Sequence, residues 1–266
     1  MSCKNTNFPI NIINKNNKGI CSTDCDLKFL YNPSTCICTN KEFYLSFSYD
    51  VHKDPALLFN KEYYDVSEIR LYTPSIHLYE SNYSDAEIIV IHKSNTNKHL
   101  ILSVPIKIND NEESLLNDIV ERASVFTSQI DDSANLNVIF NLNNFIPISP
   151  FFYYKAKVPF DCQHEYHVCV FGNKNNYISI SKNNLQSLQS IIKNQNYYIY
   201  DNIEFKINKS FKISKNTEIK CFPLPAKEGF TNKTSFSDII ETNSIDLQNI
   251  LIVTAICGVI LILISK

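Results

Sequence analysis

The chain has 266 residues, 44% apolar and 20% charged, which excludes a disordered polyelectrolyte and leaves enough apolar material for one sizeable core. Seventeen Phe and fifteen Tyr against four Gly and no Trp describe an aromatic core without a glycine-rich phosphate loop, so the common nucleotide-dependent enzymes are excluded. A net charge of -2 gives no global attraction to polyanions: nucleic acid is not an expected partner, and any sulfated or phosphorylated polymer would have to meet a local patch.

In chain order, the polar stretch after Met1 (SCKNTNFPIN) contains no apolar run, so no cleavable signal is expected and the domain should begin facing the cytosol. Eight of the nine cysteines lie outside the C-terminal apolar run. Cys21, Cys25, Cys36 and Cys38 read C-x3-C and C-x-C, which is not the usual zinc-knuckle spacing; disulfides or buried thiols are favoured over metal. From Phe43 to about Ile213 short alternating or apolar segments predict strands: FYLSFSYDV, EIRLY, EIIVIH, LILSVPI, NVIFNL, YHVCVF, YYIY and EFKI. Helical spacing occurs at Leu115, Leu116, Ile119 and Val120, with Asn111 as the N-cap, and again after Ser181 at Leu185, Leu188, Ile191 and Ile192. His164 and His167 form a His-x-x-His spacing whose ordinary reading is incidental rather than a zinc pair.

Between Gly172 and Cys221 eight lysines face only Asp201, Glu204 and Glu218, a local balance of +5 with Tyr and Phe interleaved. Lys206, Lys209, Lys212 and Lys215 are its centre, and Lys93, Lys98 and His99 form a smaller basic cluster. Such runs are either a polyanion surface or a solvated lysine face. Residues 227–248 are rich in Ser, Thr and Asn and suit a stalk. Ile250 to Ile264 carries no charge; as a helix it would extend about 22 Å, short of the ~30 Å hydrocarbon core yet readable as an anchor if the bilayer thins locally. The organisation expected is therefore a domain over 1–226, a stalk over 227–248 and a transmembrane helix over 249–265, with membrane lipid as one partner.

Strand parity places Arg70 and Tyr72 on one face, and Glu87 with Ile89 and Ile91 on another strand's single face. His77 precedes Glu87 by ten residues, and Ala86-Glu87-Ile88-Ile89-Val90-Ile91-His92 follows. This hairpin resembles the metal hairpin of the α-carbonic anhydrases, which reads AELHLVH in that register. Asn7-Phe8-Pro9-Ile10-Asn11-Ile12 resembles the family's QSPINI opening. Phe145-Ile146-Pro147 resembles its LLP, and YYKAKVPFDCQHEYHVCVF from Tyr153 to Phe171 aligns with the segment ending TWIVF. Tyr177-Ile178-Ser179-Ile180-Ser181 resembles its PISIS, so the likeness spans about 200 residues.

The resemblance implies a mostly β fold with a few short helices around a central twisted sheet. It places Arg70, Tyr72 and Ile89 at the zinc-histidine positions and Val158, followed by Pro159, at the threonine that orients the zinc hydroxide. Arginine stays protonated and has no lone pair to give, and isoleucine has no donor at all. A unit charge 4 Å from Zn2+ would be repelled by roughly 8 kcal/mol at an effective dielectric near 20. No metal, no cofactor and no anhydrase activity are therefore expected. His77 and Glu87 are implied to be a buried structural pair, and His92 a structural histidine. An inactive domain, a polar stalk, a C-terminal anchor and heavy use of Asn, Ile and Lys, whose codons are rich in A and T, together resemble the poxvirus cell-surface-binding proteins of the virion envelope. That family implies attachment to a host glycosaminoglycan of the chondroitin sulfate kind, exposure on the particle surface, and a possible homo-oligomer.

Overall fold

The structure, a computed structural model, describes residues 3–21, 25–172 and 177–209. Lys212, Lys215, Cys221 and the segments expected to form a stalk and an anchor lie outside these residues. Among the described residues no helix is long and apolar enough to cross a membrane.

A 13-stranded sheet organises the fold. Its continuous path runs Ser133–Asn135, Ile37–Asn40, Leu45–Phe47, Glu62–Tyr72, Ala86–Ser94, His99–Ile108, Glu165–Val170, Phe151–Lys157, Phe205–Asn208 and Asn17–Ile20. Neighbours are antiparallel except His99–Ile108 with Glu165–Val170 and Phe205–Asn208 with Asn17–Ile20, which are parallel. The two central strands are apolar almost throughout, because both of their faces are covered. Ala86–Ser94 exposes only Lys93, and His99–Ile108 is buried from His99 to Ile106.

Those faces carry separate cores. One packs Leu71, Ile88, Val90, Leu102 and Val104 against the helices Leu115–Phe126 and Lys182–Ile191. The other packs Tyr72, Ile89, Ile91, Ile101, Tyr154 and Val168 beneath Phe8, Ile10 and Ile12 of the N-terminal segment. That segment is held by a parallel pairing of Asn11–Ile12 with Leu78–Tyr79 and by a disulfide from Cys3 to Cys162. A second disulfide joins Cys21 to Cys25, while Cys36 and Cys38 are free, buried thiols, so these four sulfurs form no metal set.

Three local expectations change. The first long helix begins at Leu115, and its N-cap is Ser114, whose Oγ accepts from the Leu116 N–H at 3.2 Å. Asn111 instead closes a turn, its N–H bonding the Asn109 side chain. Ser114→Ala is expected to lower stability by about 1 kcal/mol in thermal unfolding, and Asn111→Ala by a few tenths at most. Residues 137–142 are not a strand: Asn137 takes a positive φ of 52° and Asn141 caps a 3-10 turn at Leu142–Asn144, leaving one bridge from Phe140 to Ser34. Phe140 is buried there by stacking on Phe47 and Phe145. Residues 197–200 make one bridge among the described residues, Tyr200 to Ile10, and run as loop with Tyr197 and Tyr200 packed on the second core. Ser181 caps the second helix as its sequence predicts, accepting from Asn184 N–H.

Candidate functional site

Antiparallel pairing sets Arg70 directly opposite Ile89 and Tyr72 opposite Glu87. The three positions that the resemblance aligns with zinc histidines therefore share one face of two adjacent strands. Glu68, two residues before Arg70, shares that face by parity. Its Oε2 accepts from Arg70 Nη2 at 2.6 Å. The guanidinium carbon lies 4.3 Å from the Phe160 ring centroid and 4.8 Å from that of Tyr44, so the cation is held between two aromatic faces. Burial works against its charge, yet Tyr72 and the Glu68 carboxylate keep its pKa above the ordinary arginine value. Tyr72 and Ile89 are buried, and burial, then Tyr197, raises the Tyr72 pKa well above that of a free phenol. Val158 is wholly buried.

A zinc ion does not fit this donor set. Its ligands would be a protonated guanidinium, a hydrocarbon and a phenol held neutral by burial, none of which supplies the N, S or carboxylate donors that zinc takes.

On the same face, beside Tyr72, Glu87 pairs with His77, and both side chains are fully buried. His77 Nδ1 donates to Glu87 Oε1 at 2.6 Å, and Ser103 donates to the same oxygen. Glu87 Oε2 accepts from the backbone N–H groups of Ile76 at 2.7 Å and His77 at 3.0 Å. His77 Nε2 in turn pairs with the Tyr154 hydroxyl at 2.8 Å. Burial alone would raise the Glu87 pKa, but His77, Ser103 and the backbone donors outweigh it and lower it. Such a network fixes the Ser75–His77 turn against the sheet.

The basic residues do not converge. Lys93 is the cross-strand partner of His99, on the face of the second core, whereas Lys206 is the partner of Tyr153, on the face of the first. They lie four strands apart, about 19 Å at ~4.8 Å per strand. Lys98 pairs with Glu62 at 3.2 Å, and Lys209 is exposed at the end of the described chain.

His164 and His167 also part company: His167 Nδ1 pairs with the Tyr153 hydroxyl at 2.8 Å, while His164 turns to Asp161 and Asn97. Sequence reading missed Glu68, Tyr44, Phe160 and Asp161. Strand parity could have found Glu68. The other three come from segments whose approach is set by tertiary packing.

No protein-family model matches the sequence, and no curated protein matches it by sequence. Solved structures do match in fold. They include dioscorin complexed with ascorbate (15% identity, 77% of this chain and 85% of that one, TM-score 0.64). An α-carbonic anhydrase from Photobacterium profundum follows at 14% identity, 77% and 89% coverage and TM-score 0.62. The α-carbonic anhydrase from Thermovibrio ammonificans, complexed with sulfanilamide, gives 13%, 77% and 87%, and 0.63. The described residues are thus mostly β with two α-helices, built on the twisted sheet of the α-carbonic anhydrase fold.

Proposed function

We propose that the chain is a binding module on a carbonic-anhydrase scaffold, without zinc-hydroxide chemistry at the hairpin, that attaches a poxvirus-type virion to host cell-surface glycosaminoglycan. The observation that carries the first half is the Arg70 guanidinium, paired with Glu68 between Tyr44 and Phe160, across from Ile89. Hydration of CO2 by the full chain with added Zn2+ should not exceed the uncatalysed rate.

The second half is supported by the lysine-rich stretch beyond Gly172, the apolar C-terminal run and the resemblance to poxvirus cell-surface-binding proteins. A sulfated chain of the chondroitin sulfate kind would be met by Lys206, Lys209, Lys212 and Lys215, with Lys93 and Lys98 as a separate contact. The C-terminal segment would anchor the domain in the virion membrane. Recognition by lysines works through counterion release, so affinity falls steeply with salt. Binding of the detergent-solubilised full chain to chondroitin sulfate and heparan sulfate surfaces across a salt titration tests this. Charge reversal at Lys206, Lys209, Lys212 and Lys215 should flatten the log-log salt slope by about 3 in a folded protein, taking ~0.7–0.9 per cation by analogy with nucleic acid. An unchanged slope removes the patch from the interface.

The Lys98–Glu62 ion pair and the placement of Lys93 and Lys206 on opposite faces favour a second reading, a virion membrane protein that supports entry or binds a protein receptor. Absence of glycan binding at low salt by a folded protein selects it.

A further inference from the structure

Arg70, Tyr72 and Ile89 offer no metal donors, but a different donor set lies elsewhere on the same sheet. His99, Asp161 and His164 each present one ligand atom, all within 4.8 Å of one another. His99 opens its strand and stands four residues before Ser103, the partner of Ile89, which puts it about 13 Å along the strand from the level of Ile89.

His99 is 7% exposed, and its Nδ1, screened from solvent, has no hydrogen-bond partner among the described residues. A buried ring nitrogen left in this state costs free energy unless something takes its lone pair or its proton. The His164 ring lies 4.4 Å from it, centroid to centroid. Asp161 Oδ2 sits 2.8 Å from His164 Nδ1 and accepts from the Tyr166 hydroxyl at 2.8 Å, while Asp161 Oδ1 accepts from Gln163 N–H at 3.0 Å. Despite its partial burial, these donors pull the Asp161 carboxyl down to about 2, so it is an anion at neutral pH. Residue 162, between Asp161 and His164, is the cysteine joined to Cys3, which ties this loop to the N-terminal segment.

We propose that His99 Nδ1, His164 Nδ1 and Asp161 Oδ2 bind one divalent transition-metal ion of the zinc class, with a fourth position open to water. Two imidazoles and a carboxylate match the borderline donors that Zn2+, Co2+ and Ni2+ take, and three protein ligands leave the coordination open. Bonds of about 2.0–2.2 Å at tetrahedral angles require donor atoms about 3.3 Å apart, so the loop carrying Asp161 and His164 closes by roughly 1.5 Å onto the strand-borne His99. The Nδ1 proton of His164 moves to Nε2. Asn97, whose amide now lies 2.8 Å from Nε2, turns its Oδ1 toward the ring to accept a hydrogen bond from the Nε2–H. Tyr166 holds the Asp161 carboxylate from outside the coordination sphere. Exposed Lys93, across the strand pair from His99, is the nearby charge that opposes the ion.

The test is titration of the metal-stripped, untagged full chain with Co2+, followed by its visible d–d absorption and then by displacement with Zn2+. One ion per chain is expected, with a spectrum of nitrogen and oxygen ligation and no thiolate charge-transfer band. Because His99 is buried, the diagnostic variants are His164→Ala, on the loop, and Tyr166→Phe. The first should weaken binding by more than about 100-fold, and the second by ~10–100-fold as an outer partner. Tyr72→Phe, on the hairpin face, should leave stoichiometry and affinity unchanged. No binding by folded parent protein, full binding by folded His164→Ala, or a thiolate band reporting Cys36 and Cys38 would each overturn the site.

Discussion

Replacing Glu87 by alanine is expected to cost about 3–5 kcal/mol of folding stability, since several buried donors lose their charged acceptor at about 1–3 kcal/mol each. The carboxylate is the common acceptor for four donors: the backbone N–H groups of Ile76 and His77, the His77 ring and the Ser103 hydroxyl. All of them would be left unpaired in a site without solvent. Glu87→Gln should not rescue the loss, since its NH2 group turns donors toward donors. Urea unfolding read by tyrosine fluorescence and circular dichroism measures this, the chain having no tryptophan. A Glu87→Ala midpoint within experimental error of the parent would refute the network as a structural element.

The same network shows what the sequence made legible. Alternation put Arg70 with Tyr72 on one face and Glu87 with Ile89 on another, and the resemblance brought the two strands together; only the register of the folded sheet sets Arg70 opposite Ile89 and Tyr72 opposite Glu87. What parity cannot reach is the distant partner. Tyr44 and Phe160 lie far from Arg70 in sequence and meet it only when the sheet is assembled. Residues 137–142 alternate as a strand would, yet a left-handed Asn137 and the Asn141 cap turn them into loop while Phe140 still fills the core. The periodicity reported burial correctly there and pairing incorrectly, since both give the same apolar pattern.

Histidine function was the least legible feature. His99 entered as part of a basic cluster and His164 as part of a pair with His167, whereas the fold groups His99 with His164 and gives His167 to Tyr153. Three-dimensional proximity across parallel strands, here His99 against Tyr166, has no short-range sequence signal.

Stability should fall as pH drops from about 6.5 toward 3, and His92 should supply up to ~4–5 kcal/mol of that fall at 1.36 kcal/mol per pK unit. The imidazole is wholly buried, with Nε2 on the Tyr31 hydroxyl at 2.9 Å, and burial pushes its pKa down to about 3. In the unfolded chain the same ring binds a proton near 6.5. Between those values the unfolded state holds one more proton than the native state, so protons drive unfolding. The stabilisation is complete above the unfolded pKa and lost as pH falls through the folded one. Depressed carboxyls such as Asp161 and Glu87 act in the same direction but only below about 4.5, the upper limit set by their unfolded values. The interval from 6.5 to 4.5 therefore isolates histidines, where His99 and His167, also lowered by burial, add to His92. His92→Leu leaves the Tyr31 hydroxyl unpaired and should start less stable. Its unfolding free energy, measured in urea at pH 6.5, 5.5 and 4.5, should nevertheless fall less steeply than the parent's by about 1.4 kcal/mol per pH unit. Parallel slopes would mean that the folded protein admits a proton at His92 despite its burial.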